Sequence, residues 1–557
     1  MSARSEHRIS QGLAMQRCLP HWRPLLCFKI PRASSKLALA LTLIIYFSLS
    51  FQLLPLPGIQ NDEALFAAGV YGQGGIAYKV TLFGIRVPLM LMSYVGALKS
   101  WLYMLIFAVW PPSVYSTRVP PVVLGVLTIW TFYHLLRWVS GSTAATIGSI
   151  LLATDSMFIL TNSFDWGPVA FQHLFLVCSM ASFVRYCRKP RAFLLLCGFS
   201  CLGLGVWDKA VFVWSIIGLL AGTLVSFPSE LVRRLSGRRL SLAMLALGIS
   251  TAPVITFNIA KPLETIRANA SYSPAGLGWK LAVFRDSLDA SALFGYLTPE
   301  PLHGAGSLSA LVLGYASQHN LIPWALAGCL FTVPVLWRTR SRMPLLFGFT
   351  FLISTWLMMA LSGGGGSAHH AVLLWPLPHF LIAISLAEAG SRLRRYRTLV
   401  MCLILPLLVG SNFLVLAQYE KQMRSQGLCT PWTDAIYPLA DLLEQTASQG
   451  HFVVMDWGIL NSVSLLKQGR IPMSLAPDVL SKPHMQGADD ELVGRMLQRR
   501  DNIYIAHTPG NEFLVVENDR FRNIARRIGF HKESLRGVLD SKGHTIFEVY
   551  RMRTGGH

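Results

Sequence analysis

Asn61-Asp62-Glu63 follows directly on a charge-free apolar run at 37–54. Paired carboxylates at the end of a membrane-length segment suit general-base chemistry at a bilayer surface. A carboxylate within hydrogen-bond reach of a hydroxyl can take its proton as the oxygen attacks. The chain also carries cations and imidazoles at apolar boundaries: Arg118, the pair Asp208-Lys209, and His369-His370. Asp155 and Asp165 lie at similar boundaries, the latter within Asn162-Ser-Phe-Asp-Trp-Gly-Pro168. A base beside cations fits glycosyl transfer from a polyprenyl-phosphate sugar. The acceptor hydroxyl needs a base, and the departing lipid phosphate needs positive charge, which Lys209 and Arg118 can supply. Each group also has a plain structural reading. Asp62 can cap a short helix, Arg118 can reach to the interface, and Asp155 can cap a helix. Asp208 and Lys209 can pair locally, and His369-His370 can end a solvated loop.

The elements that position these groups are membrane spans. Apolar residues make up 52% of the chain and charged residues 14%, and apolar runs recur along most of it. The net charge of +21 does not point to nucleic acid, because the basic residues sit in short segments between apolar runs. The first run reads as an uncleaved signal anchor, since Leu53-Leu54-Pro55-Leu56-Pro57 is no small-residue cleavage site. All but Cys429 of the nine Cys fall in the N-terminal tail or in apolar segments. No disulfide framework and no metal-type spacing follows.

Positive charge sets the expected topology. The basic tail 1–36 is placed in the cytoplasm, as are the clusters Arg185/Arg188/Lys189/Arg191, Arg233/Arg234/Arg238/Arg239, Arg338/Arg340/Arg342 and Arg392/Arg394/Arg395/Arg397. Counting Arg86–Trp110 as a span would put every later cluster outside. It also carries Lys99 in mid-run, which is costly at the bilayer centre. The segment is therefore expected not to cross, and 55–118 becomes an outer loop with juxtamembrane or re-entrant helices. The other spans are expected at 119–137, 142–160, 167–185, 192–206, 210–226, 241–258, 320–337, 343–361, 371–389 and 398–416, about eleven with the first. A second long outer loop is expected at 259–319.

Past 417 the pattern changes. Asp434–Gln445 and Asn518–Ile528 read as helices. His451–Trp457, Asn502–His507 and His544–Met552 read as strands. Residues 418–557 are expected to form an α/β domain on the outer face. Asp456-Trp457-Gly458, at a strand end, reads first as a turn and second as a site.

Several of these segments resemble, in order and spacing, the GT-C superfamily of membrane glycosyltransferases, in the group of protein O-mannosyltransferases and aminoarabinose transferases. Asn61-Asp62-Glu63-Ala64 resembles that group's acidic first-loop motif. The segment Arg86–Lys99 is similar to its Pro-containing juxtamembrane stretch. Tyr115–Pro121 resembles its Arg-x-Pro helix entry, and Asn162–Pro168 its outer-loop Asp region. Gly203–Lys209 resembles a Gly-Leu…Thr-Lys-Gly turn, with Asp208 for Thr and Ala210 for Gly. Similarity is looser from 226 to 416. There His369–Pro378 is similar to a late Tyr-x-x-Pro-x-x-Pro stretch, without its usual leading Arg.

The resemblance implies a polytopic α-helical fold of GT-C type with a C-terminal α/β domain. It implies an inverting transferase using a polyprenyl-phosphate sugar donor and a lipid, glycan or protein acceptor. Asp62 is the implied base and Glu63 its support. Asp165 would shape a sugar or acceptor pocket, and Lys209 would contact the lipid phosphate. Arg118, Arg86, His369 and His370 are further candidate substrate contacts. A divalent cation serves some relatives and not others. A bacterial inner membrane is the expected location, with the N-terminus cytoplasmic. A transporter or lipid/sugar flippase is the alternative, though inverted repeats are not evident. A binding or sensor protein is a weaker one, as the C-terminal domain has no Gly-rich phosphate loop.

Overall fold

The computed structural model describes residues 32–234, 237–269, 271–300, 318–336, 339, 341–392 and 400–554. Most of the basic tail, Arg338, Arg340, Arg394, Arg395, Arg397 and part of the second expected outer loop lie outside these residues.

A helical bundle forms the larger part. Among the described residues seven helices are long and apolar enough to cross a membrane: Ser34–Leu53, Val114–Val139, Val169–Arg188, Gly237–Ala260, Arg342–Leu361, Ala368–Ser391 and Cys402–Ser425. Two bent pairs raise the number to nine, Ser142–Thr154 with Ser156–Ser163 at 56° and Ala210–Ser226 with Pro228–Arg234 at 106°. The two other expected spans fall on the shorter helices Ala192–Asp208 and Ile322–Leu336. One apolar core runs through the bundle, from Tyr46 and Leu54 to Phe132, Leu152, Phe351, Trp375 and Leu416. The chain is an integral membrane protein.

The bend at Asp155 has a local cause. Asp155 caps the helix Ser156–Ser163, accepting from the Phe158 N–H at 2.7 Å. Its carboxylate also accepts from Trp375 Nε1 at 3.0 Å and faces His379 Nε2 at 3.2 Å, with no exposed surface. Of the two sequence readings of Asp155, the structural one describes its place.

Arg86–Trp110 holds no membrane-length helix. It contains a strand and the 12-residue helix Leu98–Val109. The expectation of helices alone is corrected at its start. Strands β1 (Tyr78–Leu82) and β2 (Ile85–Met90) form an antiparallel hairpin, turning at Phe83-Gly84. The hairpin docks on the turn after Ala192–Asp208. Trp207 Nε1 donates to Leu89 O at 2.9 Å, the Gly96 N–H to Asp208 O at 3.1 Å, and the Ala210 N–H to Tyr94 O at 2.9 Å. Only glycine fits at 96, since a Cβ there would lie 1.8 Å from Trp207 O.

The C-terminal part is a three-layer α/β domain. Strands β3 (His451–Val454), β4 (Met473–Leu475), β5 (Asn502–His507), β6 (Phe530–Leu539) and β7 (Thr545–Thr554) stand in the order β4-β3-β5-β7-β6. β4, β3 and β5 are mutually parallel, and β7 runs antiparallel to both of its neighbours, β5 and β6. Side chains alternate along the strands. Phe452, Val454, Ile503 and Ile505 pack with the helices Ile436–Gln445 and Ile459–Leu466. Val453, Tyr504 and Ala506 pack on the other face with Gly487–Gln498 and Val515–Arg527.

Candidate active site

Asp62 rides on a one-turn helix, Asn61–Ala64, between the first span and the hairpin. A capping box fixes that turn. The Gln60 side chain accepts from the Asp62 N–H at 2.6 Å, and the Glu63 carboxylate accepts from the Gln60 N–H at 3.3 Å. Asp62 keeps partial exposure while Glu63 is fully buried.

Glu63 is held by Arg118. Arg118 Nε and Nη2 donate to its two carboxylate oxygens at 2.6 and 2.8 Å. Arg118 also donates to the carbonyls of Leu54, Pro57 and Gly58. A guanidinium has five N–H donors, and all five are engaged. The expectation that Arg118 meets a substrate phosphate is therefore corrected: no donor is left, and the side chain has no exposed surface. Glu63 is likewise engaged, its carboxylate accepting from the Gln60 N–H and from the Arg118 guanidinium.

Asp165 sits in the turn Phe164–Pro168 with φ +45°, a left-handed conformation that Asp tolerates better than most residues. Its carboxylate pairs with the Lys99 ammonium, which also donates to Glu63 O at 3.3 Å. Burial pushes the Asp165 carboxyl up to about 7, against the pull of Lys99. Lys99 was not among the expected site residues. Its signal was a lone charge inside an apolar run, and the structure meets its cost with a buried partner.

Lys209 ends the pairing between the hairpin connection and the Trp207-Asp208 turn, in an isolated bridge with Val95. It is buried, and its ammonium lies 5.8 Å from the centre of the Tyr94 ring. Burial lowers it to about 8, while Asp62 and Asp208 act in the other direction. For Asp62, burial raises the carboxyl; Lys209, Asn61, Gln60 and Lys99 oppose that rise. The two groups are thus within electrostatic reach of each other. At neutral pH Lys209 keeps its charge.

The His369 and His370 rings lie 4.2 Å apart between centres, tilted at 55°, and Ser367 Oγ lies 3.3 and 2.9 Å from their Nε2 and Nδ1. His369 faces Trp166 at 6.0 Å, and both histidines lie within electrostatic reach of Lys209. Trp166 stacks on Tyr296 at 5.2 Å, and Tyr296 is in turn within reach of Asp62. The structure thus gathers Asp62, Glu63, Asp165, Lys209, His369 and His370 at one end of the bundle. Arg86 does not join them. Its strand register sets it opposite Thr81 beside the hairpin turn, exposed. No three His, Cys, Asp or Glu side chains among the described residues are arranged to hold a metal ion.

No family model and no curated protein matches the sequence at a significant level. Solved structures do match the fold. ArnT from Cupriavidus metallidurans, bound to undecaprenyl phosphate, aligns with a TM-score of 0.57 at 12% identity, over 92% of this chain and 97% of that one. An Archaeoglobus fulgidus oligosaccharyltransferase tethered to an acceptor peptide aligns with a TM-score of 0.53 at 13% identity, over 94% and 74% of the two chains. The archaeal oligosaccharyltransferase AglB of the same organism, in complex with an inhibitory peptide and a dolichol-phosphate, aligns with a TM-score of 0.51 at 13% identity, over 85% and 69%. The chain has the fold of the GT-C membrane glycosyltransferases, C-terminal domain included.

Proposed function

We propose that this protein is an integral-membrane glycosyltransferase that moves a sugar from a polyprenyl-phosphate donor to an acceptor hydroxyl. It would act at the extracytoplasmic face of a bacterial inner membrane. The observation that carries the reading is Asp62, a partly exposed carboxylate on a rigidly capped loop within reach of the Lys209 ammonium. The shared fold supports it, since similar structures bind undecaprenyl phosphate or dolichol-phosphate.

In this reading Asp62 accepts the proton of the acceptor hydroxyl as its oxygen bonds to the sugar C1. The bond from C1 to the phosphate oxygen breaks, and its electron pair leaves with the polyprenyl phosphate. Lys209 stabilises that charge in a largely buried setting, where a fixed cation is worth more than in water. One displacement at C1 inverts its configuration. Glu63, clamped by Arg118, keeps the loop in place. Asp165, held by Lys99, shapes the wall beside Trp166, and His369 and His370 are candidate donors to sugar or phosphate oxygens. The acceptor is a lipid, a glycan or a protein hydroxyl.

The test uses the full-length protein in lipid nanodiscs with radiolabelled undecaprenyl-phosphate mannose, glucose and aminoarabinose. Wild type should transfer or hydrolyse label from at least one. Asp62→Asn should lower that rate by about 10²–10⁴-fold. An unchanged rate would remove Asp62 as base. A protein that moves lipid or sugar across the bilayer and releases no label is a transporter.

A further inference from the structure

The C-terminal domain touches the Asp62 loop directly. Its helix Ile459–Leu466 packs on Asn61–Ala64, and Leu465 shares a core with Ile59, Ala64, Phe66 and Tyr103. At that contact Asn461 Nδ2 donates to Asn61 Oδ1 at 3.0 Å, and Asn61 Nδ2 reaches Asp62 Oδ1 at 3.4 Å. Four hundred residues separate Asn461 from Asn61.

The polarity of this relay is set by chemistry. An ionised carboxylate only accepts, so Asn61 must turn its NH₂ toward Asp62. Its carbonyl oxygen then faces Asn461, which must donate. Remove that donor and the Asn61 amide can rotate, bringing an oxygen lone pair toward the carboxylate. We propose that Asn461 is a positioning residue for Asp62, setting the Asn61 amide so that a donor always faces the base. This rests on the transferase reading for its purpose, though not for its geometry.

Other groups also face Asp62. Lys209 and Lys99 supply positive charge, Tyr94 and Tyr296 supply phenols, and Gln60 and Asn61 come from its own loop. Of these, only Asn61 is bonded to residue 461, so a change at 461 alone acts on Asp62 through the Asn61 amide. Gln73 provides a control. Its amide donates to Gly469 O and Ile471 O at 2.6 and 2.7 Å, so it joins the same two parts of the protein with no bond to Asp62 or Asn61.

The experiment titrates Asp62 in the full-length protein. Coupling of a small amine by water-soluble carbodiimide, followed from pH 4 to 9, is read at the Asp62 peptide by mass spectrometry. Asn461→Asp places an acceptor-only, negative side chain opposite Asn61 and should raise the half-labelling pH by about one unit. Asn461→Ala should raise it less, and Gln73→Ala should leave it at the wild-type value while lowering the thermal midpoint. Turnover of the most active labelled donor should fall in both Asn461 variants, with the donor KM unchanged and the acid limb of kcat moved upward. Half-labelling curves that superimpose for wild type and both Asn461 variants would overturn the proposal. Wild-type turnover by Asp62→Asn would instead sink the transferase reading, and the labelling curves would still decide the place of Asn461.

Discussion

Arg118 grips Glu63 through two parallel hydrogen bonds, and neither side chain has exposed surface. Removing one partner leaves the other charge buried without compensation. Arg118→Leu and Glu63→Gln should each lower stability by about 3–5 kcal/mol. Thermal unfolding in detergent measures this. The two together should cost less than the sum of the singles, because the residues share one interaction. Lost activity with an unchanged thermal midpoint would return Arg118 to substrate contact.

Lys209 carries the opposite expectation. Its ammonium ends a buried side chain within electrostatic reach of Asp62, with no ion pair to a carboxylate among the described residues. Lys209→Gln should weaken binding of undecaprenyl phosphate by roughly 10–100-fold, the value of a charged hydrogen bond. Isothermal titration into nanodisc-embedded protein gives the number.

Activity should follow a bell in pH. In the proposed reaction Asp62 must be ionised to accept a proton and Lys209 must be charged; burial raises the Asp62 carboxyl, so activity is expected to climb from above the ordinary carboxylate range. Lys209 loses its proton near pH 8, so activity falls beyond that. The alkaline loss should not be unfolding. The folded pKa of Lys209 lies below the ordinary 10.5, so between about 8 and 10.5 the unfolded chain holds the extra proton and rising pH favours the fold. A kcat/KM profile beside a melting profile separates the two.

Gly96→Ala should act on Lys209 from a distance. The added Cβ meets the Trp207 carbonyl and pushes the hairpin connection off the Trp207–Lys209 turn. A cost of about 1–3 kcal/mol is expected, with weaker undecaprenyl-phosphate binding. The milder variant Trp207→Phe, which loses the bond to Leu89 O and part of the ring packed on Trp101, should affect binding less.

Much of this was legible in the residues. Apolar runs marked the spans, and charge alone argued that Arg86–Trp110 does not cross. The hairpin stayed hidden because alternation through Tyr78–Leu82 ran into the apolar stretch beyond Pro88. Strand β6 was missed for a related reason: it is polar and largely exposed along its length, so it carries no buried-face pattern. Arg118 was given the wrong task because residue type reveals a charge but not what its donors already hold. Lys99 announced itself as expensive, yet only the fold could supply Asp165 as its partner.

The loop that carries Asp62 is held by the far end of the chain. Gly58 N–H donates to Trp432 O, Tyr437 Oη to Pro57 O, and Asn461 Nδ2 to Asn61 Oδ1. During synthesis, these early residues leave the ribosome long before their partners do. The Asp62 loop is therefore completed last, after nearly every span has left the ribosome, and a nascent or truncated chain carries Asp62 on an unfinished loop.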